Sequence, residues 1–181
     1  IEDCSSGGHR SEPSMMELCS QGSFSDAHET AAIPIIAANM HRVMLPSQSQ
    51  IWAVMRPGDS SDRIHYSICN TFLGRMCLSG DIYGLADWQW ALIDEGMEFY
   101  RRAADVIKHG RTVKIESSPK SYNSPTGEQV VVREYNGVTL VVAHRFANSK
   151  PVDLSFLNGR KLLCEYGELE RDFSAKAWLL G

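Results

Sequence analysis

The chain has 181 residues, 43% of them hydrophobic and 22% charged, with a formal net charge of -4. These proportions are typical of a folded globular protein, and the lack of a basic patch argues against nucleic acid as a partner and against polybasic attachment to a membrane. The longest apolar runs, such as residues 31–40, are too short to span a bilayer.

The start of the chain and its cysteines bear on its cellular setting. The chain begins with Ile1, and no charged segment precedes an apolar one, so no signal peptide is predicted and we expect part of the protein to precede Ile1. The five cysteines are odd in number and widely spread. This pattern argues against a disulfide framework and slightly favours the cytoplasm, but localisation otherwise stays open.

Short strand-like and helix-like segments alternate as far as Gly110. Strands are predicted at residues 1–4, 22–25, 50–54 and 75–78, and helices at residues 27–43, 63–73 and 86–109. This alternation is typical of a parallel sheet with helical crossovers.

The helix over residues 86–109 has the clearest signal. One face carries residues at three- and four-residue steps, namely Leu92, Gly96, Phe99, Ala103 and Ile107. Gly110 is expected to cap the end of this helix. Trp88 and Trp90, near its start, are expected to pack against the sheet rather than to bind a ligand.

β-type residues dominate after Gly110. Strands are predicted at residues 130–135, 138–146, 152–156, 160–166 and 175–180, with Asn136-Gly137 as a two-residue hairpin turn and an exposed loop at residues 117–127. The sequence therefore predicts an α/β region over residues 1–110 and an antiparallel all-β domain over residues 111–181.

Polar, glycine-rich turns follow four of the predicted strands, within residues 2–10, 23–29, 46–50 and 78–81. In a parallel β/α barrel, the C-terminal ends of the strands build the active site, so these turns suggest one shared pocket. Loops are polar for other reasons as well. The pattern alone therefore leaves a pocket and ordinary loops as equal alternatives.

Several motifs occur in the order found in one enzyme family. They are Cys4-Ser5-Ser6-Gly7-Gly8-x-Arg10, Ser25-Asp26-x-x-Glu29, Leu45-Pro46, Arg63 and Leu78-Ser79-Gly80-Asp81. This series resembles the α-galactosidases of glycoside hydrolase family 36 over residues 1–110, and more loosely beyond. The resemblance implies the C-terminal half of a (β/α)8 barrel, about strands five to eight, followed by the small antiparallel β domain. The family's aspartate nucleophile, on strand four, would lie upstream.

The resemblance also implies roles for individual residues. Asp26 matches the acid/base carboxylate, and Cys4 and Gly7 match contacts to the sugar near its O2 group. Ser79, Gly80 and Asp81 would border the substrate. From the residues alone, a helix N-cap is the favoured explanation of Asp26, a buried strand cysteine is the alternative for Cys4, and a turn residue is an equal alternative for Asp81.

Some features depart from the family or argue against other chemistry. Residues 9–13 lack the family's further glycine and its aromatic–aspartate pair, and residues 23 and 24 lack its tryptophan, which leaves the sugar specificity open. No cofactor is implied. A zinc site made from Cys4, His9, Cys19 and His28 does not match common spacings, and the remaining histidines are expected to be structural or exposed.

The leading hypothesis is a retaining exo-glycosidase that hydrolyses terminal α-galactosides of oligosaccharides or glycoconjugates. The alternatives are an enzyme of the same clan acting on another sugar, such as an N-acetylated one, a noncatalytic carbohydrate-binding relative, and an unrelated enzyme with Cys4 as nucleophile. We expect the isolated chain to be inactive, and poorly soluble or dimeric, since a half barrel has two open sheet edges. The resemblance leaves open whether the complete enzyme is a homo-oligomer.

Overall fold

The computed structural model describes residues 1–4, 11–23, 25–27 and 30–181. Its helices are α1 (Pro13–Met16), α2 (Ile33–Met40), α3 (Ser61–Thr71) and α4 (Asp87–His109). Its strands are β1 (Glu2–Cys4), β2 (Gln21–Ser23), β3 (Gln50–Met55), β4 (Arg75–Gly80), β5 (Arg111–Ser117), β6 (Glu128–Tyr135), β7 (Val138–Arg145), β8 (Leu162–Glu168) and β9 (Ala175–Leu180). Short 3-10 turns occupy Ile82–Gly84 and Ser155–Leu157.

The first four strands run parallel. β1 pairs with β2, and β3 pairs with β4. A parallel bridge between Gly22 and Ser49 joins the two pairs, so the spatial order is β1-β2-β3-β4. The predicted parallel arrangement of these four segments is therefore confirmed.

The two faces of β3 differ in burial. Ile51, Ala53 and Met55 are fully buried in the core cluster that includes residues of α3 and α4, whereas Gln50 and Trp52 on the opposite face are only half-buried. Strand side chains alternate between faces, so one side of β3 is covered by helices, and the other side carries the half-buried Gln50 and Trp52 together with the buried Val54. The latter is called the open face here.

The last five strands form one antiparallel sheet in the order β5-β6-β7-β9-β8. Asn136 and Gly137 have φ values of 49° and 79°, which confirms the predicted hairpin turn. One face of the sheet, including Val142, packs into the same core as α3 and α4. The other face, including Val141, is covered by apolar residues of the segment 152–157 and by Leu169 and Trp178.

A buried polar network joins the two regions. Arg133 of β6 donates hydrogen bonds to the carbonyl oxygens of Val106, Ile107 and Gly110 at the end of α4, and to Oγ1 of Thr112. Helix ends leave carbonyl groups without partners, and the guanidinium satisfies them here. Burial lowers the pKa of Arg133 to about 10.

His41 extends this network towards α3. Its Nε2 lies 2.5 Å from the carbonyl oxygen of Leu73, and its Nδ1 lies 3.0 Å from Oγ1 of Thr112. A carbonyl oxygen can only accept, so Nε2 carries the proton and Nδ1 accepts from Thr112. Burial is the main reason that the pKa of His41 falls to about 4, and the nearby charge of Arg133 lowers it further.

Three sequence predictions about regular structure need correction. The helix predicted from residue 27 begins only at Ile33, because Pro34 lacks an N–H and fits the first turn. The strand predicted at 152–156 is absent. Asp153 Oδ1 instead accepts a hydrogen bond of 2.9 Å from the Ser155 amide, a turn that leads into Ser155–Leu157. The strand β5 was not predicted.

One expectation at α4, for Trp88, also differs from the structure, whereas the predicted cap at Gly110 is confirmed. Trp88 is 51% exposed, whereas Trp90 packs against the core as predicted. Gly110 occupies the C-cap position with a φ of -70°, outside the left-handed region usual for a glycine cap. Glycine is required there because a Cβ atom would clash with the carbonyl oxygen of Val106.

Candidate functional site

The residues singled out from the sequence lie on the carboxyl side of the parallel strands. Cys4 is the last residue of β1, is exposed, and pairs with Ser23 at the end of β2. Gly80 is the last residue of β4 and pairs with Met55. The bridge between Ser49 and Gly22 sets the register between the two strand pairs. Cys4 therefore lies level with the start of β3, whereas Gly80 lies level with the end of β3.

Asp26 lies on the connection that leaves β2. It is exposed and forms no hydrogen bond or ion pair with any described residue. The connection starts near Gly22, beside the beginning of β3, and reaches Thr30, whose Oγ1 lies 3.4 Å from the carbonyl oxygen of Val54. In sequence, Asp26 therefore lies between Gly22, which is beside the start of β3, and Thr30, which is beside its carboxyl end. It does not cap α2, whose N-cap residue is Ala32.

Polar side chains of α3 hold the chain that follows Asp26. Ser67 Oγ lies 3.4 Å from Oγ1 of Thr30, and Asn70 Nδ2 donates to the Thr30 carbonyl oxygen at 3.4 Å. Tyr66 donates its hydroxyl to the carbonyl oxygen of Ala31 at 3.3 Å. All of these α3 residues are buried. They were missed from the sequence, where only the apolar face of the helix was considered; the polar residues in the run Tyr66-Ser67-x-x-Asn70 were the available signal.

The loop after β4 is built tightly against β3. Gly80 has a φ of 90°, and a Cβ atom there would clash with the backbone of Met55, so only glycine fits. The Asp81 amide donates to the Met55 carbonyl oxygen at 2.9 Å. Asp81 occupies the N-cap position of the turn Ile82–Gly84, and its carbonyl oxygen accepts from the Gly84 amide at 3.3 Å, but its exposed carboxylate makes no capping hydrogen bond.

Gln89 ties this loop to the one after β3. Its side chain is fully buried. Nε2 donates to the carbonyl oxygens of Arg56, Pro57 and Asp59 at 3.0–3.4 Å, and Oε1 accepts from the Ala86 amide at 2.9 Å. One amide group therefore fixes both loops relative to each other. No local pattern in the sequence indicates this role of Gln89.

The open face carries polar and charged side chains. Gln21 donates to Glu2 at 2.7 Å, and Trp52 donates its indole N–H to Gln50 at 3.1 Å. Burial, together with the negative charge of Glu2, raises the pKa of Cys77. Asp3 points to the opposite side and is buried, and its Oδ2 has no hydrogen-bond partner among the described residues.

Other predicted features fall outside this region. Gly7, His9 and His28 lie outside the described residues. A cleft of about 550 Å³ near Met16 and His41, and one of about 460 Å³ between α3, α4 and β8, are not lined by Cys4, Asp26 or Asp81. Within the described part of the chain, no group of three or more metal-binding side chains is arranged to hold an ion, and no helix has the length and apolar character needed to cross a membrane.

Of the comparisons with known proteins, only the comparison with solved structures gives matches. No protein-family model matches the chain, and no curated protein matches it significantly. A variant of GH36 α-galactosidase AgaA from Geobacillus stearothermophilus, in complex with raffinose, matches with a TM-score of 0.77 and 18% identity. AgaB from the same organism matches with a TM-score of 0.72 and 19% identity. Both matches cover 99% of this chain and 28% of the other.

A more distant α-galactosidase agrees. The enzyme from Lactobacillus brevis matches with a TM-score of 0.69 and 12% identity, over 92% of this chain and 26% of its own. These matches show that the chain has a fold found within GH36 α-galactosidases, the family that the sequence motifs resemble. It spans about 28% of the length of the AgaA and AgaB chains.

Proposed function

We propose that this chain is the C-terminal part of a retaining α-galactosidase of the family 36 type. In this proposal, residues 1–110 supply strands five to eight of a (β/α)8 barrel and residues 111–181 form the accompanying β domain. The parallel order β1-β2-β3-β4 and the polar open face support a half barrel that other strands complete. An upstream part of the protein would supply the nucleophile on strand four.

The exposed carboxylate of Asp26 carries the proposal. It combines the family's motif position with a location on the carboxyl side of the parallel strands and freedom from structural hydrogen bonds with the described residues. Carboxyl ends of barrel strands are where catalytic residues lie in such folds. A purely structural aspartate would instead be expected to cap a helix or accept backbone hydrogen bonds.

The proposed substrates are terminal α-galactosides of oligosaccharides or glycoconjugates. Variants of the structural neighbour AgaA were solved in complex with raffinose and with stachyose, which supports a saccharide substrate. A same-clan enzyme for another sugar would use the same Asp26 chemistry. The sugar must therefore be identified by assay.

Asp26 would act in both halves of the reaction. As an acid it transfers its proton to the glycosidic oxygen while the upstream carboxylate bonds to the anomeric carbon and the carbon–oxygen bond breaks. As a carboxylate it then removes a proton from water, whose oxygen attacks the anomeric carbon and releases the enzyme's carboxylate. The sugar leaves with its original anomeric configuration.

The remaining predicted residues would shape the sugar site. Cys4 is exposed at the end of β1, as a contact near the sugar O2 group requires. Gly7 would lie beside it, where a missing side chain permits close approach. Ser79, Gly80 and Asp81 would border the site from β4, with Asp81 offering an exposed carboxylate to hydroxyl groups.

Asp26→Asn in the complete protein tests the acid/base role. Raffinose has a poor leaving group that needs protonation, so we expect its kcat/KM to fall about 1000-fold, within the usual range for general acid catalysis. An activated aryl α-galactoside needs little protonation, and its formation of the glycosyl-enzyme should slow far less. The control is Asp105→Asn, an exposed aspartate on α4. Small and equal effects of Asp26→Asn on both substrates would refute the assignment.

A further inference from the structure

Three buried polar side chains hold the chain four residues after Asp26. Thr30 lies on the connection that leaves β2, and Ser67 and Asn70 lie on α3. All three are fully buried. Burying a polar side chain costs free energy unless hydrogen bonds replace those made with water. A cluster of three such side chains beside one segment therefore indicates a role beyond filling space.

The hydroxyl groups of Thr30 and Ser67 meet at one carbonyl oxygen of β3. Thr30 Oγ1 lies 3.4 Å from the carbonyl oxygen of Val54. Ser67 Oγ lies 3.3 Å from the same oxygen and 3.4 Å from Thr30 Oγ1. Each hydroxyl brings one proton and can also accept, so both protons find acceptors within this triangle. The connection after β2 is thereby attached to the carboxyl half of β3 and to α3.

Side chains of α3 also bind the backbone of this connection. Asn70 donates from Nδ2 to the carbonyl oxygen of Thr30 at 3.4 Å. Tyr66 donates its hydroxyl to the carbonyl oxygen of Ala31 at 3.3 Å. These two bonds come from a helix more than thirty positions away in the sequence, so tertiary contacts fix the place of this segment.

The turn that contains Asp26 is attached to the core as well. The Ala27 amide donates to Ser25 Oγ at 3.0 Å, which closes a turn around Asp26. Ala27 packs against the main core cluster, and the chain is held again at Thr30. A general acid must lie within hydrogen-bonding reach of the leaving oxygen, and a misplacement of about 1 Å can cost roughly 100-fold in rate. Restraint of this segment therefore bears directly on acid catalysis.

We propose that Thr30, Ser67 and Asn70 are positioning residues, which hold Asp26 where it can protonate the leaving oxygen. This inference rests on the proposed function and deepens it, because the three residues act through the chain and not on the substrate. Apolar residues of the same size would fill the space around Thr30. They would remove the donors to the Val54 and Thr30 carbonyl oxygens and leave the segment free to shift along β3.

Thr30→Val in the complete protein tests this role, because valine keeps the shape of threonine and removes the hydroxyl. The leaving group of raffinose must be protonated, so its kcat/KM is expected to fall about ten-fold, part of the roughly 100-fold that a 1 Å misplacement can cost. An activated aryl α-galactoside needs little protonation, and its kcat/KM should change less than about two-fold. Thr30→Ser keeps the hydroxyl and should retain the raffinose activity. Ser67→Ala should act in the same direction as Thr30→Val.

Thr71→Val is the matched control. Thr71 is also fully buried on α3, but its hydroxyl donates to the Ile68 carbonyl oxygen of its own helix at 2.6 Å. Any loss of activity in this variant should be equal for the two substrates. A second control combines Thr30→Val with Asp26→Asn. Once the acid is removed, its position no longer matters for protonation, so Thr30→Val should cause no further loss on raffinose.

Equal losses on both substrates in Thr30→Val and Ser67→Ala, or no loss on either, would overturn the positioning role. The acid/base proposal would then still stand on the substrate preference of Asp26→Asn. A further loss on raffinose in the doubly substituted protein would also overturn the positioning role, since the network would act through another group. If Thr30→Val does not fold, Ser67→Ala decides. If Asp26→Asn itself affects both substrates equally, the acid/base proposal fails and the positioning role fails with it.

Discussion

The two sheets of this protein differ in how their faces are covered. In the antiparallel sheet, Val142 packs into the core shared with α3 and α4, while Val141 packs into a second cluster on the opposite face. In the parallel sheet, Ala53 is fully buried under the helices, whereas on the open face Val54 is buried but Trp52 and Cys77 are only half-buried.

Because of this difference, the antiparallel sheet mainly stabilises the fold, whereas the parallel sheet leaves side chains accessible for chemistry. A sheet that buries both faces gains its free energy from apolar contact and has no surface left for a substrate. A sheet with a partly exposed face keeps groups available, and Cys4, the last residue of β1, is exposed, as is Asp81 directly after β4. Substitutions in the two regions should therefore affect different measured quantities.

Arg133→Met should give the largest effect, on stability. The change leaves the carbonyl oxygens of Val106, Ile107 and Gly110 without their donor in a buried setting. We expect the free energy of unfolding of the complete protein to fall by about 3 kcal/mol, measured by urea titration. The control Arg101→Met removes an exposed arginine of α4 and should cost less than about 0.5 kcal/mol. Equal effects would show that the network does not join the two regions.

Cys4→Leu should give the next largest effect, on activity. The bulkier side chain would displace the sugar near its O2 group, and a misplaced substrate can cost about 100-fold in rate. We therefore expect kcat/KM for α-galactosides to fall by about that factor, with an unchanged unfolding midpoint because Cys4 is exposed. Cys164→Leu, on β8 of the other sheet, is the control. Wild-type kinetics in Cys4→Leu would remove the proposed contact.

His144→Phe should give a smaller effect that depends on pH. His144 is fully buried, neither ring nitrogen has a partner among the described residues, and burial lowers its pKa to about 3. The unfolded chain binds a proton near pH 6.5, but the folded one does not. The contribution that neutral His144 makes to the free energy of unfolding is therefore fully present above pH 6.5. It is lost as the pH falls towards 3, by about 1.4 kcal/mol per pH unit.

The imidazole ring of His144 packs edge-on against Tyr66, with ring centroids 5.1 Å apart. Phenylalanine keeps an aromatic ring at this position but removes the proton-binding site. The variant should lose less stability than the wild type between pH 6 and pH 4, as measured by urea titration at each pH. His41 remains in both proteins and contributes equally to the two curves. An unchanged curve in His144→Phe would contradict the assignment.

The sequence by itself determined the elements with a strong local signal. The period of α4, the alternation of strands and helices before Gly110, and the Asn136-Gly137 turn depend on neighbouring residues only, so they could be predicted. The motifs around Cys4 and Asp26 pointed to the family whose solved structures share the fold of this chain, whereas the half barrel that they imply stays a proposal. What these motifs imply for catalysis stays a proposal.

Only the tertiary structure decided which partners distant residues find. The support of Thr30 by Ser67 and Asn70, and the capping of α4 by Arg133, join residues more than twenty positions apart. No local periodicity encodes such contacts, because burial and hydrogen-bond pairing are set by the packing of whole elements against one another.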